Sequence, residues 1–200
     1  DNLSWEKFSK INNQLYDSNG VKPIVSISRN YPYDENYTHV LGYVSQANEK
    51  DILSSQIVKD RFVQGLKVGK IGLEKSFENS LIGDNSIERY EVNAYGRRIS
   101  QLAFQNGNKG ETIKLTIDTE VQKFVNQLLS EKAGSICVMD IYTGEIIAMH
   151  SSPSFDPNAF VFGISQDEWQ LIRNNPMKPL INKTISGNYS PGSTIKPIVA

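Results

Sequence analysis

Ser135-Ile136-Cys137-Val138-Met139-Asp140-Ile141-Tyr142-Thr143-Gly144-Glu145-Ile146-Ile147-Ala148-Met149-His150 is the stretch on which the fold of this chain turns. Two short apolar runs flank Tyr142-Thr143-Gly144, and a glycine-containing turn between such runs predicts a β-hairpin with strands over 135–141 and 145–150. Just upstream, residues 112–117 read as a further strand. Asp118 then stands where a helix cap belongs, because Val121, Phe124, Val125, Leu128 and Leu129 recur at helical spacing and carry a helix to about residue 132. Downstream, a proline-rich loop covers 153–157. Ser165-Gln166-Asp167-Glu168 is a capping box that opens a helix ending near residue 174.

Working outward, the first hundred residues alternate short strand signals with turns. A strand is expected over 22–29, and Asn30-Tyr31-Pro32-Tyr33-Asp34 breaks it. One helix is expected from about 49 to 63, with Ile52, Leu53, Ile57, Phe62 and Val63 as its apolar set. Gly65, Gly69, Gly72 and Gly83 punctuate a loop-rich stretch, followed by a strand over 87–94 and the turn Tyr95-Gly96-Arg97-Arg98. Asn106-Gly107-Asn108-Lys109-Gly110 is pure turn sequence, so the domain boundary is placed there, dividing the chain into 1–110 and 111–200.

Composition narrows the function classes. Of 200 residues, 38% are hydrophobic, too many for a disordered chain. A net charge of -1 argues against nucleic acid as a bulk partner. A single cysteine, Cys137, excludes an intramolecular disulfide framework and multi-cysteine metal sites. Neither a phosphate-binding glycine loop nor metal-ligand spacing occurs, so no cofactor and no metal are expected. No run approaches the roughly 18 apolar residues that span a bilayer. Asp1-Asn2-Leu3-Ser4-Trp5 has no signal-peptide features, so any export signal or anchor of the parent is expected outside this chain.

The candidate for chemistry is Ser193-Thr194-Ile195-Lys196. Three residues apart on a helix, hydroxyl and amine share one face, the arrangement a serine nucleophile needs when its base is a lysine. Such a base must be neutral, and a partly desolvated helix N-terminus favours that form. Pro191-Gly192 supplies a turn ahead of the serine, and Pro197 suits the first helical turn because it has no amide proton. The spacing alone proves little: about 1.6 Ser-x-x-Lys matches are expected by chance, and Ser4-Trp5-Glu6-Lys7 also matches.

Context supplies the rest. Leu115-Thr116-Ile117-Asp118 with Gln122, the run from Val138 to Met149, Ser152-Pro153-Ser154-Phe155-Asp156-Pro157-Asn158, and Pro191-Gly192-Ser193-Thr194-Ile195-Lys196-Pro197 resemble, in that order, the start of the transpeptidase domain of class B penicillin-binding proteins. Pro179-Leu180-Ile181-Asn182-Lys183 is most similar to the elongation-type member of that family. Arg29-Asn30-Tyr31-Pro32, His39-Val40-Leu41-Gly42-Tyr43-Val44, Gly69-Lys70-Ile71-Gly72-Leu73-Glu74 and Tyr95-Gly96-Arg97 resemble its non-catalytic pedestal, or dimerisation, domain.

The resemblance implies an elongated α+β chain: a pedestal over 1–110, then the first part of an α/β transpeptidase domain over 111–200. It implies that Ser193 attacks a peptidoglycan stem peptide ending in D-Ala-D-Ala, that Lys196 takes its proton, and that β-lactam antibiotics acylate the same serine. It places the parent in the bacterial inner membrane with this region on the periplasmic side, in a wall-synthesis complex that includes a glycosyltransferase. Two alternatives stand beside it: a docking module without catalysis, and a class D β-lactamase or penicillin-sensor domain, against which the long pedestal argues.

The family's Ser-x-Asn and Lys-Thr-Gly follow its nucleophile. Here Ser28-Arg29-Asn30 and Ser186-Gly187-Asn188 precede Ser193, and Lys183-Thr184 is followed by Ile185. The chain is therefore expected to be a fragment cut at both ends and inactive alone. Its strand over 135–141 is expected to lack its central neighbour, leaving an apolar edge and a catalytic half that is disordered, rearranged or paired with another chain. The family's motifs make Glu74 the partner of Arg29 or Arg97 in a buried ion pair. Tyr142 and Trp169 are read as packing residues and Cys137 as a buried thiol; His39 and His150 are the only histidines, a Ser–His mechanism is set second to the lysine one, and His150, at a strand end, is read as a satisfied structural residue.

Overall fold

The computed structural model describes residues 5–14 and 28–199. The strand expected over 22–29 lies outside them except for Ser28 and Arg29, which are loop. Helix α1 spans Trp5–Gln14. After a 3-10 turn at Asp34–Asn36, α2 (Thr38–Leu41) leads into β1 (Val44–Gln46), α3 (Glu49–Ser54), α4 (Gln56–Asp60) and β2 (Lys67–Gly69). α5 (Gly72–Ser76), α6 (Glu78–Leu81) and a hairpin of β3 (Ile87–Val92) with β4 (Arg98–Gln105) complete the first part. The second part holds α7 (Thr119–Leu129), β5 (Gly134–Met139), β6 (Ile146–Ser152), α8 (Asn158–Val161), α9 (Gln166–Asn174), α10 (Lys183–Ser186) and α11 (Lys196–Val199). The described strands form three antiparallel pairs, β1 with β2, β3 with β4 and β5 with β6.

Local chemistry explains where this departs from expectation. The helix foreseen over 49–63 is two helices. Asn48 and Asp51 form a capping box at the start of α3, and Ser55, extended at φ -133 and ψ 117, caps α4 by accepting from the Val58 amide. Gly72 opens α5 rather than sitting in a loop. Residues 112–117 form no strand, yet Thr116 Oγ1 donates to Ile146 O at 2.7 Å and the Asp118 amide to Ile147 O at 2.8 Å, binding that segment alongside β6. Strand β4 was not foreseen: it is exposed along its whole length, so no burial period marks it.

Two glycines let the first part close on itself. Gly42 sits at φ +81, and a Cβ there would lie 1.9 Å from Ile71 O; Gly72, at φ +63, would place one 2.6 Å from Gly42 N. The backbones after α2 and before α5 touch directly, which only glycine permits. Beside this contact Glu74 receives Arg29 through Nε at 2.8 Å and Nη2 at 3.0 Å, and Tyr31 OH at 3.2 Å. The expected ion pair is thus the one with Arg29; Arg97 lies in the exposed turn of the β3–β4 hairpin.

The core straddles the two parts. Tyr31 and Val44 cluster with Val161 of α8, with Leu41 packed against them. Tyr43 stacks on Phe160 at 4.3 Å, and Phe160 meets Phe155 at 5.3 Å and Trp169 at 6.2 Å. Polar groups reinforce this joint. Asn158 accepts the Tyr31 amide at 2.9 Å and returns Nδ2 to Tyr31 O at 3.0 Å. Thr38 Oγ1 donates to Phe155 O at 2.6 Å. Fully buried Gln122 gives Nε2 to Asn36 O and Met149 O at 2.7 and 2.8 Å, and its Oε1 accepts the Met149 amide at 2.9 Å.

In the second part β5 and β6 form an antiparallel pair packed on α7 and α10 rather than a disordered segment, while the apolar edge expected on β5 is present. The deeply buried strand is β6, and α7, α10 and α2 pack against it. β5 is the outer strand, so Cys137 is exposed, not buried, and Met139 is exposed as well. Tyr142, at the hairpin turn, is also exposed and packs on no core. Trp169 packs as expected.

Candidate functional site

Ahead of the Ser193 turn in the chain, residues 178–186 lie against β6 and α2. Asn182 caps α10 by accepting the Thr184 amide at 3.1 Å, and its Nδ2 donates to His39 O at 3.1 Å. Ser151 Oγ donates to Ile181 O at 3.1 Å and accepts the Lys183 amide at 3.0 Å. Thr184 Oγ1 donates to His150 O at 3.3 Å. Residues 181–184 are thereby fixed to β6 and α2. Lys183 is 8% exposed, with its Nζ donating to Lys178 O at 3.1 Å, and burial lowers its pKa.

The candidate nucleophile follows on a short turn. Pro191 stands before Gly192 at φ +54, and a 3-10 turn over Gly192–Ile195 runs directly into α11. Pro191 O accepts both the amide and the hydroxyl of Thr194, while the Lys196 amide donates to Ser193 O. Ser193 and Lys196 thus stand one turn apart, as the spacing predicts, and Pro197 occupies the first turn of α11. Both are exposed, and among the described residues no hydrogen bond joins Ser193 Oγ to Lys196 Nζ. The turn can present a hydroxyl and an amine to a substrate.

The other motif matches fall elsewhere. Ser28 Oγ accepts from Lys67 Nζ at 2.9 Å in the first part, and Ser186 closes α10. Ser4 lies outside the described residues. His39 and His150 are buried and neither bonds Ser193. No group of three or more metal-ligating side chains occurs among the described residues. The sequence reading gave no role to Lys183 or Asn158. Asn158 is the first residue of α8, and its side chain bonds Tyr31, 127 positions away, a pairing that leaves no local signal; a single lysine within an apolar run gives no sign either.

Comparison with known proteins gives the family. Residues 1–115 match the model of the penicillin-binding protein dimerisation domain, and residues 134–200 that of the penicillin-binding protein transpeptidase domain. The chain is 37% identical over 199 residues to the peptidoglycan D,D-transpeptidase MrdA of Acinetobacter baumannii, covering all of this chain and 29% of that protein. It is 40% identical over 174 residues to MrdA of Escherichia coli K12, covering 86% of this chain and 28% of that one. The chain therefore spans under a third of the length of these curated relatives. Among solved structures it is similar to the Helicobacter pylori penicillin-binding protein PBP2 in complex with MreC, with TM-score 0.82 and 30% identity over 98% of this chain and 36% of that one. It is also similar to Pseudomonas aeruginosa PBP2 in complex with WCK 5153, with TM-score 0.72 and 30% identity over 89% of this chain and 35% of that one. A fold of helices and small sheets, a serine–lysine turn at its end and matches to both family models give one conclusion: the chain belongs to the penicillin-binding proteins that carry a dimerisation domain ahead of a transpeptidase domain.

Proposed function

We propose that this chain is the pedestal, over 1–110, and the start of the catalytic domain, over 111–200, of a serine D,D-transpeptidase of cell-wall elongation. The observation that carries the proposal is the Ser193–Lys196 turn, in a chain similar along its full length to MrdA. Ser193 Oγ attacks the carbonyl of the penultimate D-alanine of a stem peptide while Lys196 Nζ takes the hydroxyl proton. The C–N bond to the terminal D-alanine breaks, and that residue leaves as the amine with a proton returned. An amine of a neighbouring stem then attacks the ester, regenerating Ser193 and closing a cross-link. The Ser193 amide supplies one donor to the oxyanion. A β-lactam acylates the same hydroxyl.

The natural setting is the periplasmic side of a bacterial inner membrane, within a wall-synthesis complex that includes a glycosyltransferase and, by likeness to the Helicobacter structure, a counterpart of MreC. A non-catalytic docking role for the pedestal is favoured by one feature, the β3–β4 hairpin with Ile99, Leu102 and Phe104 exposed. The two roles are compatible in one protein.

The test is intact-mass analysis of the full-length protein treated with a penicillin. One covalent adduct per chain is expected, absent in Ser193→Ala and formed at least about a thousandfold more slowly in Lys196→Ala. A well-folded full-length protein that takes no adduct overturns the enzymatic role and leaves docking.

A further inference from the structure

The joint between the two parts holds titratable groups that the proposed chemistry does not use. His39 on α2 is 6% exposed and His150 on β6 is 2% exposed. Neither ring nitrogen of His39, nor Nε2 of His150, has a hydrogen-bond partner among the described residues. Phe155 meets the His39 ring edge-on at 5.9 Å. The same ring borders a cavity of about 350 Å³ between the parts, walled by apolar side chains such as Leu73, Leu115, Met149 and Ile185.

The charge environment of this pair is one-sided. From α10, buried Lys183 acts on His39, and from β6 His150 does the same. The segments 72–76 and 115–117 bring no charge to the cavity. The Pro153 and Pro179 backbones beside His39, and the Asn36 backbone beside His150, favour the protonated rings, but less than burial disfavours them. From α7, the neighbour is neutral Gln122. The acids of the adjoining turns, Asp34 and Asp156, are engaged by Asn158 Nδ2 at 3.2 and 2.9 Å. A proton on His39 would create a buried cation beside Lys183, and one on His150 a second buried cation, with no carboxylate among the described residues paired to either ring.

We propose that His39 and His150 form an acid-released latch: their neutral rings let the pedestal side and the catalytic side close on each other, and protonation parts them. Burial, then His150, then Lys183 hold the His39 pKa down to about 4 from 6.5, and burial lowers that of His150. In the parted state the rings are solvated and titrate near their ordinary value. Between about pH 6.5 and 4 the parted state therefore binds more protons, so the opening equilibrium rises as pH falls and levels off below about 4. His39 alone supplies a rise of about 20-fold between pH 7 and pH 5. The latch does not rest on the transpeptidase assignment: Ser193 acylation and pH-dependent opening can each fail without the other.

The test is amide hydrogen exchange of the full-length protein, read by mass spectrometry at pH 7, 6 and 5 and corrected for intrinsic rates. Peptides covering 36–44 and 146–152 are expected to lose about 20-fold in protection in the wild type, and under twofold in the double variant His39→Gln, His150→Gln. The 87–105 hairpin serves as the internal reference. Should the double variant not fold, C2-hydrogen exchange of the histidine rings in the wild type gives each ring's pKa directly, and a value below 5 is expected for His39. Joint peptides whose protection stays within twofold from pH 7 to pH 5, or a His39 ring titrating at 6 or above, overturn the latch.

Discussion

Gln122 shows at the scale of one side chain what holds this molecule together. Its amide makes three hydrogen bonds, one to Asn36 and two to Met149, with no exposure to water. Gln122→Leu keeps the bulk but strands the Met149 amide and two carbonyls, so a loss of about 2–3 kcal/mol is expected, measurable as a shift of the urea midpoint with unchanged slope. Glu74→Ala removes the acceptor of Arg29 and Tyr31. Arg29 is 39% exposed and can turn to water, so the expected cost is smaller, about 2 kcal/mol. The sequence marked Gln122, but through its place in a family motif; spacing gives no hint that its partners come from Asn36 and Met149, because a hydrogen bond across 86 positions leaves no periodic trace.

Among elements, the hairpin of β5 and β6, α7 behind its Asp118 cap and α9 behind its capping box were legible because each carries a local signal: a turn, a cap or an apolar period. What could not be read is what depends on partners. β1 and β2 are three residues each, defined by pairing Val44 with Gly69; β4 shows no buried face at all. Cys137 was misplaced for the same reason: strand chemistry is local, but which strand lies outermost is not. Glycine positions separate local from tertiary demand. Gly42→Ala forces a Cβ to 1.9 Å from Ile71 O at a positive φ, and a loss of at least about 4 kcal/mol is expected, seen as failure to give a cooperative melt. Gly96→Ala, also at positive φ but with open space around it, is expected to cost only about 1 kcal/mol. Equal losses at both sites would show that the Gly42–Ile71 contact carries no special weight.

For the whole molecule, the turn of composition near residue 108 marks a change in the sequence but not a gap in the core, since Tyr31, Val44 and Val161 form one cluster. Far-UV circular dichroism and tryptophan fluorescence are accordingly expected to report a single coincident unfolding transition; two resolved transitions would mean that the parts are independent. The candidate site was legible to the extent of Ser193 and Lys196 on one turn. The placing of α10 ahead of it was not, because α10 owes its position to Ser151, His150 and the carbonyl of His39, groups scattered through the preceding sequence. The joint also sets a timetable. The Tyr31 amide waits for Asn158, 127 positions later, and at about 5–20 residues per second of synthesis that is roughly 6–25 s. Throughout that interval a growing chain exposes Tyr31 and Val44 without Val161 to cover them, so the first part spends its earliest seconds as a surface awaiting its own downstream sequence.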